Sequence, residues 1–353
     1  MPSTFARLAE LPVTIDSYAL EGMSKHVSSG FERLSTVIRL RGEGEEGVGE
    51  DVVYDAPDHL ALQQAGPVQP LPGSWTLAEL VAHVDALDLF PVEPERGEVS
   101  RLYRRWAFQS AALDLALRQA GRSLHDVLDR EPSPLNFVVS LHLADEDSVQ
   151  GLRGLLGRYP GLRLKLDATA SWDDQLIAEL VALGAVDSVD FKAFYRDTPV
   201  DNPPDAALYR RVAEAFPDAW LEDPDVSDPD TGAALAEHHE RITWDAPIHS
   251  VADIESRPFR PKMVNIKPSR FGPLSNLFAA YDFCEAEGIG AYGGGQTELG
   301  VGRGQIQYLA SLFHPDTPND VAPGGYNLPD TPEGLPSSPL DPAAEPTGFR
   351  WRT

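Results

Sequence analysis

The sequence predicts an α/β fold, a (β/α) barrel preceded by a smaller α+β domain, and three observations carry that prediction. First, three short apolar segments each end in a charged residue: AWLEDP at Glu222, RITWDAP at Asp245 and MVNIKPSR at Lys267. Glu222 to Asp245 is 23 residues and Asp245 to Lys267 is 22, enough chain for a strand, a helix and the return to the next parallel strand. Charges at strand ends with a steady βα period are what such a barrel sets around its mouth. Second, the texture changes near Leu135, from strands followed by helices to strands and helices in alternation. Third, 353 residues are too many for one small core and suit a barrel plus a smaller domain.

In chain order, VTIDSYAL and STVIRLRGEG alternate apolar and polar residues with β-branched content and predict strands. The polar, glycine-bearing EGMSKHVSSGFERL between them predicts a mobile loop carrying Ser24, Lys25 and His26. GEGEEGVGEDVVYD predicts a glycine-rich hairpin and a further strand. After a linkage at Pro67, Pro70 and Pro72, helices are predicted over Leu77–Leu87 and Ser100–Ala120, the second with Trp106, Leu113 and Leu117 on one face and Gly121 as its stop. LNFVVSLHL, LRLKLDA and DSVDFKAFY predict the first three barrel strands, and the three opening segments the next three. IGAYGGG predicts a seventh strand, and PNDVAPG is a weak eighth. Helices fill the gaps: DEDSVQGLRGLLGRYPG with an Asp or Ser cap, WDDQLIAELVALGA with Leu176, Leu180 and Leu183 on one face, PPDAALYRRVAEAFPDA, and GRGQIQYLASLFH. The Pro-rich tail from Pro329 is expected to wrap back over the first domain.

Composition narrows the function. Lys and Arg number 29 against 55 Asp and Glu, a formal charge of −26, which argues against nucleic acid and against an anionic membrane surface. One cysteine, Cys284, excludes an intrachain disulfide and a cysteine-rich zinc site. No signal peptide and no long apolar run is visible, so the expectation is a cytoplasmic protein without a membrane span.

Residues i and i+2 of a strand face the same way. Arg163 therefore shares a face with Lys165, and Asp190 with Lys192, and in a barrel these point to the mouth beside Glu222, Asp245 and Lys267. Asp190, Glu222 and Asp245 on three consecutive strands form a hard-oxygen set suited to Mg2+. A lysine near a divalent ion and a second positive side chain has its pKa lowered and can serve as a base; Arg163 is placed to do this to Lys165.

The ordered set resembles the enolase superfamily, and within it the muconate lactonizing enzyme subgroup related to mandelate racemase. Arg163-Leu164-Lys165 stands where that subgroup carries Lys-x-Lys, LEDP resembles its Glu-Gln-Pro, and VNIKPSRFGPL its Asn-Ile-Lys strand. GGGQTELGVGR resembles its strand-seven segment, and GVGED the Gly-x-Gly-Glu of its capping domain. The resemblance implies an α+β capping domain over residues 1–130, a modified TIM barrel, (β/α)7β, over 131–325, and a tail, 326–353, returning to the cap. It implies an isomerase or lyase that removes the proton α to a small-molecule carboxylate, with Mg2+ stabilising the enediolate and Lys165 and Lys267 as the catalytic pair. Asp190, Glu222 and Asp245 would hold the metal, and Arg163, Lys192, Gly294, Gly295 and Glu298 would face the substrate. Racemisation or epimerisation, cycloisomerisation, and an o-succinylbenzoate synthase-like dehydration all use such a pair; a non-catalytic metal- or ligand-binding relative is the alternative from another class. A homo-oligomer is compatible with the fold. The chain departs from the subgroup at Ala246, where many relatives place a second acid, and at Lys192, where they place Asn; Lys192 could bind a second substrate carboxylate.

Overall fold

The computed structural model describes residues 3–143, 149–196, 198 and 200–352. The capping domain is built on β1 (Pro12–Ile15), β2 (Ser17–His26), β3 (Glu32–Gly42), β4 (Glu45–Asp51) and β5 (Gly73–Thr76). β2, β3 and β4 form an antiparallel meander, and β1 pairs with β5. The loop expected over residues 21–34 is mostly strand: β2 runs on through Ser24, Lys25 and His26, paired residue for residue with β3. Only residues 27–31 turn, closed by the Val27 N–H donating to the Phe31 carbonyl at 3.1 Å. Both faces of this ribbon are largely solvated, so its polar sequence lacks the alternation that marks a half-buried strand.

The helix Ser100–Gln119 lies directly on β4, and the glycines of GVGED are the reason. A Cβ on Gly47 would stand 2.3 Å from the Ala111 carbonyl oxygen, and one on Gly49 2.1 Å from that of Ala107. Helix Leu77–Ala86 starts at a capping box of Thr76 and Glu79. Helix Ala56–Ala65, with Pro57 in its first turn and Gly66 after its end, was not anticipated; only Asp58, His59 and Leu62 are buried, so it shows no apolar stripe.

The barrel strands are β6 (Val138–Leu141), β7 (Arg163–Asp167), β8 (Val186–Asp190), β9 (Trp220–Glu222), β10 (Ile242–Thr243), β11 (Met263–Ile266) and β12 (Gly290–Gly293). They are parallel in sequential order, and the Asn265 N–H donating to the Trp244 carbonyl at 3.0 Å joins β10 to β11. Asp173, Asp205, Asp228 and Ser250 cap four of the intervening helices through their side chains. The Asp or Ser cap expected before helix Gln150–Arg158 falls at 144–148, outside the described residues.

The eighth position holds two residues rather than a strand. Asn319 bridges in parallel to Phe137 and Asp320 to Gly294. The Val138 N–H donates to the Asn319 carbonyl and the Asp320 N–H to the Gly293 carbonyl, each at 2.8 Å. The Asn319 side chain completes the seam: Oδ1 accepts from the Gly293 N–H at 2.6 Å, and Nδ2 donates to the carbonyls of Asn136, His314 and Thr317.

His314 supports this amide from below, its Nδ1 2.7 Å from Asn319 Oδ1. Burial lowers its pKa to about 4, against an ordinary 6.5. The unfolded chain therefore takes up a proton that the folded chain refuses between those values. We expect about 2–3 kcal/mol of stability present above pH 6.5 to be lost as pH falls to 4. Denaturant unfolding of wild type and His314→Gln at pH 7 and pH 5 checks this; the variant should lose the smaller share of its stability.

The chain finally returns to the cap. The Phe349 N–H and Arg350 Nε donate to the buried Asp114 carboxylate, both at 2.8 Å, and the Phe349 ring meets Trp106 edge-on. No helix of the described residues is long and apolar enough to cross a membrane.

Candidate active site

The strand register builds the site. Asp190 stands level with Asp167 on one side and Glu222 on the other, at the ends of β7, β8 and β9. Asp190 and Glu222 are fully buried, and Lys165 reaches both. Its ammonium contacts Glu222 Oε1, lies 3.1 Å from Asp190 Oδ2 and 3.7 Å from Asp320 Oδ2. Asp245, past the end of β10, faces a second cationic group: Lys267 Nζ donates to its Oδ2 at 2.8 Å and Arg270 Nη1 to its Oδ1 at 2.6 Å. The Tyr195 hydroxyl also donates to Asp245 Oδ2, at 3.1 Å.

Asp223 had no place in the sequence reading. As the neighbour of Glu222 it should point the other way. Its φ of +52° breaks the strand and turns its carboxylate back. Its oxygens accept from the Asp245 and Ala246 N–H groups at 2.8 and 2.9 Å, so it sets the path of the chain at Asp245. Oxygens of Asp190, Glu222 and Asp223 all lie within 4.8 Å of one another. Ala246 brings no carboxylate, and the extra acid stands on the neighbouring strand end instead. The LEDP segment held the signal, a proline directly after Asp223 that ends the strand there.

Gly294 lies where a side chain could not: a Cβ there would be 2.6 Å from Lys267 Cε and 3.0 Å from Asn265 Nδ2. Gly295 and Glu298 form the turn beyond β12, with Glu298 Oε1 accepting from the Gln296 N–H at 2.7 Å and a Cβ on Gly295 meeting Glu298 Oε2 at 2.2 Å. Lys192 curls over Asp190, contacting Oδ2, with its Nζ 3.4 Å from Asp167 Oδ1.

Arg163 does not join this group. Asp187 is an extra residue at a register shift between β7 and β8, and its carboxylate takes the Arg163 guanidinium, which also donates to the Gly184 carbonyl at 2.7 Å. The i, i+2 face is the expected one, but Arg163 is at the foot of the strand. With Asp187 and Trp220 it lines a recess of about 440 Å³ at the end where the strands begin. Arg163 therefore cannot lower the pKa of Lys165 as the sequence suggested. Burial disfavours the Lys165 ammonium, but Glu222, Asp190 and Asp320 outweigh it and hold its pKa well above the ordinary value. Burial likewise opposes the Asp190 and Asp245 carboxylates. Lys192 and Lys165 overcome it for Asp190, and Arg270 and Lys267 for Asp245, so both ionise well below the usual range. Asp223, buried beside Asp245 and Asp190, is raised to about 7.

Two features fit a divalent ion. The donors are all carboxylate oxygens, as Mg2+ or Ca2+ requires. Lys165 meets Glu222 at Oε1 only, and Oε2 is buried with no hydrogen-bond partner, an open oxygen that an added cation would satisfy.

Comparison with known proteins supports the same architecture. Residues 6–127 match the family model described as the domain of unknown function DUF8230 N-terminal domain, and residues 131–328 its C-terminal domain. Muconate lactonizing enzyme from Pseudomonas putida superposes with a TM-score of 0.68 at 18% identity, over 95% of this chain and 96% of that one. A member of the enolase superfamily from Listeria innocua Clip11262 gives 0.65 at 20% identity, over 90% and 88%. At these identities the likeness shows the fold, that of the enolase superfamily. In sequence, o-succinylbenzoate synthase of Bacillus subtilis (strain 168) is 38% identical over 61 residues, which span 17% of this chain and 16% of that protein.

Proposed function

Because the chain belongs to the DUF8230 family and has the enolase-superfamily fold, we propose that it is a metal-dependent isomerase or lyase that abstracts the proton α to a carboxylate. The observation that carries this reading is the buried Asp190–Glu222 pair, with an unpartnered carboxylate oxygen and a lysine beside each end of the acidic cluster. Asp190 and Glu222 would hold the ion, with Asp245 as the third acid of the proposed set and Asp223 fixing its position. Bound there, Mg2+ would supply the positive charge that a carboxylate needs while its α-carbon gives up a proton.

The remaining roles fall to the side chains themselves. Lys165 and Lys267 hold or move the proton, each at its Nζ. Arg270, which touches Asp245 rather than the mouth, is a positioning residue: it anchors the acid that orients Lys267. Gly294 lets Lys267 pass close against the end of β12, where a Cβ would collide with it, and Gly295 and Glu298 would shape the rim that faces substrate. Lys192 would meet a second anionic group of the substrate. The short match to o-succinylbenzoate synthase favours elimination as the outcome, with racemisation, epimerisation and cycloisomerisation sharing the first step.

The test is exchange of α-hydrogen for deuterium, followed by NMR, across a library of carboxylic acids with the protein and Mg2+. Exchange that requires the ion is the expected result. Its absence from every acid, with the ion shown to be bound, would overturn the reading.

A further inference from the structure

Asp190 is held twice by one residue. The Lys192 N–H donates to Oδ1 at 2.9 Å, closing a turn of the kind aspartate side chains favour, while the Lys192 ammonium contacts Oδ2. The turn needs a φ of +54° at Lys192, a left-handed conformation that glycine and asparagine adopt readily and lysine rarely. The strained turn folds the side chain back across the end of β8, over the acid. Four carboxylates, Asp190, Glu222, Asp223 and Asp245, then face four cations, Lys165, Lys192, Lys267 and Arg270. Lys165 is bound into the cluster by Glu222 as well as Asp190, and Lys267 and Arg270 serve Asp245. Lys165 also has a partner outside the cluster, Asp320 at 3.7 Å, but two buried acids hold it; Lys192 contacts one acid of the cluster, Asp190, and its other partner is Asp167, 3.4 Å away and partly exposed at the rim.

We propose that Lys192 is a tethered counter-cation for Asp190, competing with the divalent ion for that carboxylate and yielding to it by moving onto Asp167. The proposal rests on the reading of Asp190 as a metal ligand. A carboxylate with a unit positive charge in contact binds an added cation less tightly than a bare one, and burial sharpens the difference. The lysine therefore sets the affinity for the ion while keeping the buried acid paired until the ion arrives.

Mn2+ binding, read from the electron paramagnetic resonance of the free ion, tests this with wild type, Lys192→Met, Lys192→Asn and Lys192→Arg. The Met and Asn variants should bind about tenfold or more tightly than wild type, as removal of a contacting charge predicts, and the Arg variant much as wild type does. Asn suits the left-handed turn, so that variant keeps the test available if Met fails to fold. Equal or weaker binding by the neutral variants overturns the competition and leaves the metal reading standing. No binding by any of the four proteins overturns both. Binding by the neutral variants alone upholds the competition and removes the metal dependence proposed for the wild type.

Discussion

Lys165→Met and Lys267→Met are each expected to lower the rate of α-hydrogen exchange by about a thousandfold, the middle of the range for a lost acid or base in contact with the reacting proton. The lysines should differ in a second readout. Lys165 touches two fully buried acids, so its loss leaves Glu222 without a cation, beside an Asp190 that keeps Lys192. Breaking one partner out of such a cluster costs about 3–5 kcal/mol, so Lys165→Met should also melt earlier, with Mg2+ restoring part of the loss. Lys267 shares Asp245 with Arg270, and its removal leaves that acid paired; Lys267→Met should fold almost as well as wild type. If the chemistry runs on both faces of the α-carbon, each variant should lose exchange with one enantiomer first. Wild-type exchange in either variant, measured with both hands of a substrate, would remove that lysine from the mechanism.

Asn319→Leu is expected to cost about 3–5 kcal/mol, because several buried partners lose their bonds at one position. Its amide alone bonds β12, the chain before β6 and the 314–317 turn from one side chain, beside the backbone bonds of the same element. Leucine nearly matches it in size, so the loss isolates hydrogen bonding from packing. Thermal and denaturant unfolding measure it, and Asn319→Asp should fall between, keeping the acceptor for Gly293 and losing the donor. A leucine variant as stable as wild type would mean that the two-residue backbone bridge suffices to close the barrel.

The middle barrel strands were legible because several run into charges at a regular βα period, which set Asp190, Glu222, Asp245 and Lys267 near strand ends and Lys165 two residues inside its own. Four features were not, each for its own reason. Asp223 enters the cluster through a left-handed backbone angle, which a strict inside-outside alternation cannot anticipate. Arg163 has the facing that alternation predicts, but depth in the barrel is invisible to a two-residue repeat, and the register shift at Asp187 gives it a partner at the foot. The eighth strand was weak in sequence because its work is done by a side chain. The β2–β3 ribbon looked like a loop because solvent lies along most of its outer half, leaving polar residues where a strand packed on one face would alternate.

Glu50, at the end of the glycine-bearing β4, ties the two parts of the molecule together. Helix Val301–Phe313 has no side-chain cap of its own, and Glu50 receives the N–H groups of Leu299, Gly300 and Gly302 in its place, with Ser35 as a fourth donor. Anyone building chimaeras from this fold must therefore count residues 299–302 as belonging with the first domain. A crossover that trades one without the other strands a buried anion on one side and a row of open amides on the other, whatever the loops at the joint look like.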